Sequence, residues 1–299
     1  MRKTDTVNDE IKRRWKKELF FSGNNFNSLN FYAIRLVSFF LVYVISLSVY
    51  ADKIKVGIFT GNEASSDVSA YASRMCNLLK EYDQFEIKSF STFDIISQYD
   101  VIFLSGTKVG IQSPCWKERI IMYTANGGAT ILMGASTGFP ISWADRIDYC
   151  PPLFEEIFAH SAWCDNHSFA SSKNEYNIFE ENLNWGSSGR YETLNKGKYG
   201  VILVRDSKNM PIVIAGAFGK GKVVGIGPIL NSGGQTESLK KYMQDIFVWA
   251  ATPWTQTPAL PTEIEEYIKN AQLKIDKTKN AAVANKDSFL KKINEASGN

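Results

Sequence analysis

Short apolar runs alternate with stretches of helical periodicity over residues 53–133, and this alternation strongly limits the possible folds. Four runs rich in β-branched or aromatic residues predict strands, namely KIKVGIFTG, FEIKSFS, YDVIFLSG and ATILMG. Two intervening segments carry apolar residues at helical spacing, SSDVSAYASRMCNLLKEY and WKERIIMYTANGG. Apolar strands separated by helices are typical of a parallel sheet covered on both faces. We therefore expect a three-layer α/β domain.

The second half of the chain predicts an antiparallel addition to that sheet. Three β-rich segments separated by turn residues indicate a meander of hairpins in YGVILVRDSKNMPIVIAGAFGKGKVVGIGP, and the helix SLKKYMQDIFVWAA follows it. Residues 139–198 are rich in Trp, Asn, Ser and Tyr without a clear period, so we expect an irregular excursion from the sheet there. We place the α/β domain at residues 52–254.

Residues 255–299 predict a linker and a C-terminal helix. The linker TQTPALP contains two prolines, and an amphipathic helix with a capping residue begins at Thr262. The last residues are rich in Lys, Asn and Ala, and we expect them to fray. The expected role is a solvated helix with one apolar stripe, and the alternatives are docking on the domain or pairing with another copy of the chain in a homo-oligomer.

Residues 1–51 have the composition of a leader. A basic, polar start is followed by LVSFFLVYVISLSVYA, which carries no charge from Leu36 to Ala51. This run is shorter than the roughly 20 residues that span a bilayer, and its length is typical of the apolar region of a signal peptide. The small residues Val49 and Ala51 favour cleavage after Ala51. An uncleaved signal anchor is the alternative, in which case residues 36–51 hold the chain in the membrane. Both interpretations predict export, to the periplasm or the extracellular space.

The chain carries a formal net charge of +3, and this excess comes from the leader, so the exported part is close to neutral. A neutral domain lacks the basic surface that nucleic-acid binding requires, and we exclude that function. The sequence has no Cys/His cluster with metal-ligand spacing, and we expect neither a metal nor a cofactor. In an exported chain, Cys150 and Cys164 are the candidate disulfide, and Cys76 is predicted to be an inert core residue.

A G-x-S-x-G pattern follows the fourth predicted strand. Gly134, Ser136 and Gly138 complete the pattern, and the intervening Ala135 and Thr137 are small. A nucleophile elbow requires a buried strand, a sharply turning reactive residue and small neighbours. The sequence therefore predicts that Ser136 lies on an elbow, which does not yet make it a nucleophile.

The chain resembles the class I glutamine amidotransferase-like superfamily, in particular domains similar to the N-terminal region of biotin–protein ligase. The resemblance rests on four segments in order, KIKVGIFTG, YDVIFLSG, ANGGATILMGASTGF and GKGKVVGIGP, and covers residues 53–252. It implies a flavodoxin-like, mostly parallel sheet with an added antiparallel hairpin. It also implies that Ser136 stands where amidotransferases have Cys and dipeptidase E-like enzymes have Ser.

The sequence departs from the amidotransferase pattern after the last hairpin strand. Amidotransferases supply a base and an acid there from a His-Pro-Glu motif, whereas this chain reads Gly-Pro-Ile-Leu-Asn at residues 227–231. Ile229 cannot take a proton, and Asn231 cannot orient an imidazolium. The resemblance thus implies a degenerate site without catalysis that binds a small molecule or a partner. The expected pocket residues are Gly106, Thr107, Ser136, Thr137 and Asn231.

The alternative function is a serine hydrolase, a dipeptidase E-like peptidase or amidase. Ser136 is then the nucleophile, His167 the base, and Asp165 or Glu155 the group that orients it, because a serine without a base attacks poorly. The competing interpretation is that His160 and His167 both lie on the surface of a polar loop.

Overall fold

The computed structural model describes residues 52–60, 66–105, 115–134, 153–171, 176, 178, 187–227 and 237–297. The predicted leader and Cys150 lie outside the described residues. In chain order the elements are β1 (Ile54–Phe59), α1 (Ser66–Leu79), β2 (Phe85–Phe90), a 3-10 turn (Ile96–Gln98), β3 (Val101–Ser105), α2 (Trp116–Ala125), β4 (Ala129–Met133), β5 (Phe158–Ser171), β6 (Ser187–Lys196), β7 (Val201–Asp206), β8 (Pro211–Phe218), β9 (Gly221–Ile226), α3 (Glu237–Ala251) and α4 (Thr262–Ser297). No helix in these ranges has both the length and the apolar character that crossing a bilayer requires.

The strands form one sheet in the order β2-β1-β3-β4-β9-β8-β7-β5-β6. The first five strands pair in parallel, and the pairs from β9 to β6 are antiparallel. The predicted α/β class with a parallel sheet and an antiparallel addition is confirmed. We call the edge where β1, β3, β4 and β9 end the carboxyl edge, and the edge where they begin the amino edge.

Two layers of helices cover the two faces of the sheet. Successive strand residues point to opposite faces, so that Phe103 packs with α1 and α3 whereas Leu104 packs with α2 and α4. All five residues of β3 are buried, which is why its sequence is continuously apolar up to its last residue. We call the face of Phe103 the first face and the face of Leu104 the second.

Helix α4 belongs to the domain along its first half. Ile264, Ala271 and Ile275 are 0, 5 and 8% exposed and pack with the core of the second face. The expectation of a solvated helix is wrong for this half, because its apolar stripe covers α2. From Lys279 to Lys292 every side chain is exposed, and the helix nevertheless continues to Ser297, where we expected fraying.

Residues 158–171 and 187–196 form strands, with one register shift between His160 and Ala162, so the prediction of an irregular excursion is wrong there. β5 and β6 pair antiparallel from Phe158↔Lys196 to Ser168↔Ser187, and β5 joins the sheet beside β7. The backbones of these two segments pair although the segments are separated in the sequence. The local hydrophobic pattern of each segment therefore does not predict the pairing. The base of this hairpin lies over β9, since a Cβ at Gly225 would be 2.7 Å from Cδ2 of Phe158.

Candidate functional site

The carboxyl edge contains a topological switch point between β1 and β3. The chain passes from β1 through α1 to β2 on one side, and then returns to β3 on the other side of β1. Open α/β sheets bind their ligands in the crevice that such a reversal leaves outside the carboxyl ends of the strands. The fold itself therefore points to the ends of β1 and β3 as the candidate site.

Ser105 is the last residue of β3 and lies at this switch point. It pairs with Met133 of β4, and the residue is 6% exposed. Its hydroxyl oxygen is buried and has no hydrogen-bond partner among the residues that the structure describes. A buried hydroxyl left without a partner costs about 1–3 kcal/mol, so the site is suited to a group that supplies the missing hydrogen bond.

The chain turns out of the sheet at the end of β4. Gly134 has a φ of 63°, in the left-handed region that strains residues with a side chain. The turn comes two residues before Ser136, where the G-x-S-x-G pattern predicts an elbow. Ser136 and the other expected pocket residues lie outside the described residues, namely Gly106, Thr107, Thr137 and Asn231.

Both histidines lie on β5. His160 is fully buried and opposite Leu194 of β6, so the interpretation that both histidines are on the surface of a loop is wrong for His160. The backbone of His167 pairs with Ser188, and Asp165 is two residues earlier on the same strand, opposite Arg190. Glu155 is exposed just before the strand.

The position of β5 separates His167 from the end of β4. The strands β9, β8 and β7 lie between β4 and β5, which makes four strand spacings. Four spacings amount to roughly 19 Å across the sheet. For Ser136 to reach His167, the segment after β4 must therefore cross the ends of three strands.

Lys222, at the amino edge of the first face, was missed by the sequence analysis. The residue is 4% exposed, and its Nζ donates to the carbonyl oxygens of Trp249 at 2.7 Å and Thr252 at 2.6 Å. It also lies 4.4 Å from the ring centroids of Trp249 and Trp254. Burial lowers the pKa of Lys222 to about 8. The ammonium thus caps the carboxyl-terminal end of α3.

The described residues contain no group of three or more His, Cys, Asp or Glu that could hold a metal ion. Cys76 and Cys115 have free thiols, and Cys76 packs against the core of the first face. Cys164 is on β5, and its predicted disulfide partner Cys150 is outside the described part.

No family model matches the chain, and no curated protein matches it in sequence. A putative ThuA-like protein from Bacteroides uniformis is similar in structure, with a TM-score of 0.50 and 14% identity over 67% of this chain and 93% of that one. The domain is amidotransferase-like in fold. A cytoplasmic protein of Salmonella typhimurium LT2, STM1381, matches with a TM-score of 0.49 and 13% identity over 66% of this chain and 99% of that one.

The likeness to a ThuA-like protein corrects the finer resemblance drawn from the sequence. The fold agrees with the expected amidotransferase-like architecture, but the expected resemblance to domains of biotin–protein ligase is wrong. The four quoted segments are strand ends and glycine turns, which many members of such a fold share. They identify the architecture and do not distinguish its branches.

Proposed function

We propose that the domain binds a small molecule at the carboxyl edge, between the ends of β1 and β3, and does not act as an amidotransferase. The observation that carries the proposal is the buried hydroxyl of Ser105, which lacks a partner in the described structure. Gly106 and Thr107 follow it directly, so they would line the same crevice. Ser136, Thr137 and Asn231 follow β4 and β9, which end at the same edge.

The sequence lacks the residues that amidotransferases use for catalysis. The elbow position holds Ser136, and the segment after β9 has Ile229 and Asn231 where the base and acid stand in amidotransferases. An unassisted serine hydroxyl must lose a proton before it attacks, and neither residue can take that proton. Binding without turnover is consistent with this set of residues.

Native mass spectrometry of the purified full chain tests the binding proposal. We expect a bound small molecule in the wild type and its loss in Ser105→Ala, because the substitution removes the hydroxyl that the ligand satisfies. Thr130→Val is the matched control, since the Thr130 hydroxyl already has a partner in Thr124 at 2.7 Å. Equal retention of the molecule in Ser105→Ala and the wild type would contradict the assigned place of binding.

A serine hydrolase remains a second proposal because Gly134 turns the chain sharply before Ser136. His167 would be its base and Asp165 the orienting group. Labelling with a fluorophosphonate probe decides between the two proposals. If Ser136→Ala and His167→Ala each abolish labelling, the domain is a hydrolase. Our first proposal expects a folded wild type to remain unlabelled.

Export is proposed on the composition of the leader alone. We infer that the signal is cleaved after Ala51 and that the domain acts outside the cytoplasm. Amino-terminal sequencing of the mature protein should start at Asp52. A start at Met1 in membrane fractions would instead favour the uncleaved anchor formed by residues 36–51.

A further inference from the structure

A cavity of about 380 Å³ opens at the amino edge, away from the candidate site. It lies between the start of β7, the end of β8 and the linker that precedes α4. Its volume falls within the 300–1,000 Å³ of typical small-molecule sites. β9 runs from Gly221 near this cavity to Ile226 at the carboxyl edge, and five strand steps span about 17 Å. The cavity is therefore distinct from the site at the switch point.

Contacts within the protein fix the walls of the cavity in the absence of a ligand. Glu263 accepts hydrogen bonds from Lys198 Nζ and from the hydroxyl of Tyr199, the latter at 2.8 Å. These contacts fix the start of α4 to the β6–β7 turn. Pro258 and Pro261 restrict the linker that forms the opposite wall, because each proline ring fixes φ. A preformed wall lowers the conformational cost of binding.

Within the described part of the chain, the lining combines an apolar surface with one lysine that has no carboxylate partner. Val201, Ala217, Leu260 and Ile264 supply the apolar surface. Lys196 also lines the cavity and is exposed, and no carboxylate oxygen of the described residues lies within 4.0 Å of its Nζ. The other lysine of the lining, Lys198, is already paired with Glu263. One positive charge beside an apolar wall is complementary to a ligand with one negative charge and an apolar body.

We propose that this cavity is a second binding site, which takes a small organic monocarboxylate with an aromatic or aliphatic body. Lys196 binds the carboxylate, and the body lies against Leu260 and Ala217. The site is independent of the function proposed for the carboxyl edge, since it shares no residue with it.

Fluorescence titration of the full chain with 8-anilinonaphthalene-1-sulfonate, an aromatic monoanion, tests the site. We expect Lys196→Gln to weaken binding about tenfold through loss of the charge-assisted contact. We expect Ala217→Phe to abolish binding by filling the cavity. Lys279→Gln removes an exposed lysine that is remote from the cavity, on α4, and this variant should bind the probe like the wild type. Ser105→Ala should also bind normally, which separates this site from the one at the switch point.

Displacement experiments test the chemistry of the ligand. 4-Phenylbutyrate should displace the probe, and 4-phenylbutan-1-ol, which has the same body without the charge, should not. The proposal is overturned if the wild type does not bind the probe, if Lys196→Gln binds as tightly as the wild type, or if the alcohol displaces as well as the acid. Should Ala217→Phe fail to fold, the Lys196 and displacement results decide alone.

Discussion

Ser105 and Lys222 are both buried polar residues on the first face of the sheet, and they differ in what surrounds them. Lys222, at the amino edge, donates to two carbonyl oxygens and lies against two indole rings. Ser105, at the carboxyl edge, has no hydrogen-bond partner in the described structure. A buried polar group with hydrogen-bond partners stabilises the fold, whereas a buried hydroxyl without a partner can still form a hydrogen bond with a ligand. The comparison thus assigns a stabilising role to Lys222, and it is the basis for the binding proposed at Ser105.

Replacing Lys222 should give the largest effect. We expect Lys222→Met to lower the free energy of unfolding by about 3 kcal/mol, because the carbonyl groups of Trp249 and Thr252 lose their buried donor. Urea denaturation at pH 7 measures the change. Lys220→Met is the matched control, since Lys220 is exposed on the same hairpin, and it should change stability by less than about 0.5 kcal/mol. Equal stabilities for the two variants would contradict the stabilising role of Lys222.

The same lysine predicts a pH dependence. Its pKa is about 8 in the folded chain against 10.5 in the unfolded one, so the unfolded state binds more protons between these pH values. Stability rises with pH wherever the unfolded state binds more protons. The stability of the wild type relative to Lys222→Met should therefore increase by about 3 kcal/mol from pH 7.5 to pH 10.5. Urea titrations of both proteins at each pH check this, and a constant difference would contradict the lowered pKa.

Ser105→Ala should have the opposite sign from Lys222→Met. Removing a buried hydroxyl without a partner should raise the free energy of unfolding of the unliganded protein by about 1 kcal/mol. Thr130→Val removes a hydroxyl that does have a partner and should lower it by about 1 kcal/mol. Thermal denaturation of ligand-stripped protein compares the two variants. If both are destabilised alike, the hydroxyl of Ser105 plays an ordinary structural role.

Truncation of α4 should give the smallest effect. Removing residues 279–297 deletes a part of the helix whose side chains are exposed as far as Lys292. The free energy of unfolding, measured by urea denaturation, should therefore change by less than about 0.5 kcal/mol. Light scattering of the same variant tests the predicted homo-oligomer. If the variant contains fewer subunits per assembly than the wild type, this half is the oligomerisation element. An unchanged number of subunits would exclude that role.

The sequence could predict the elements whose burial leaves a local pattern. β3 and β4 are buried on both faces and read as continuous apolar runs, and α3 shows its buried stripe at helical spacing. The β5–β6 hairpin was missed because its pairing is non-local and many of its residues are polar. Docking of α4 on the domain was left as one of two alternatives for a related reason, since an apolar stripe does not show which surface covers it.

The candidate site was harder to predict than the fold. The G-x-S-x-G pattern drew attention to Ser136, whereas Ser105 appeared only as the end of an apolar strand. That its hydroxyl lacks a partner is a property of the packed structure and not of the residue. Lys222 was missed because nothing in its local sequence, GKGK, indicates two distant carbonyl acceptors.

Helix α4 has 36 residues, so it is about 54 Å long, and the part beyond Thr278 accounts for about 28 Å of that length. The end of the helix therefore lies nearly three nanometres along the axis from Thr278. Each residue added to this part or deleted from it would move that end by about 1.5 Å along the axis and rotate it by about 100° around the axis.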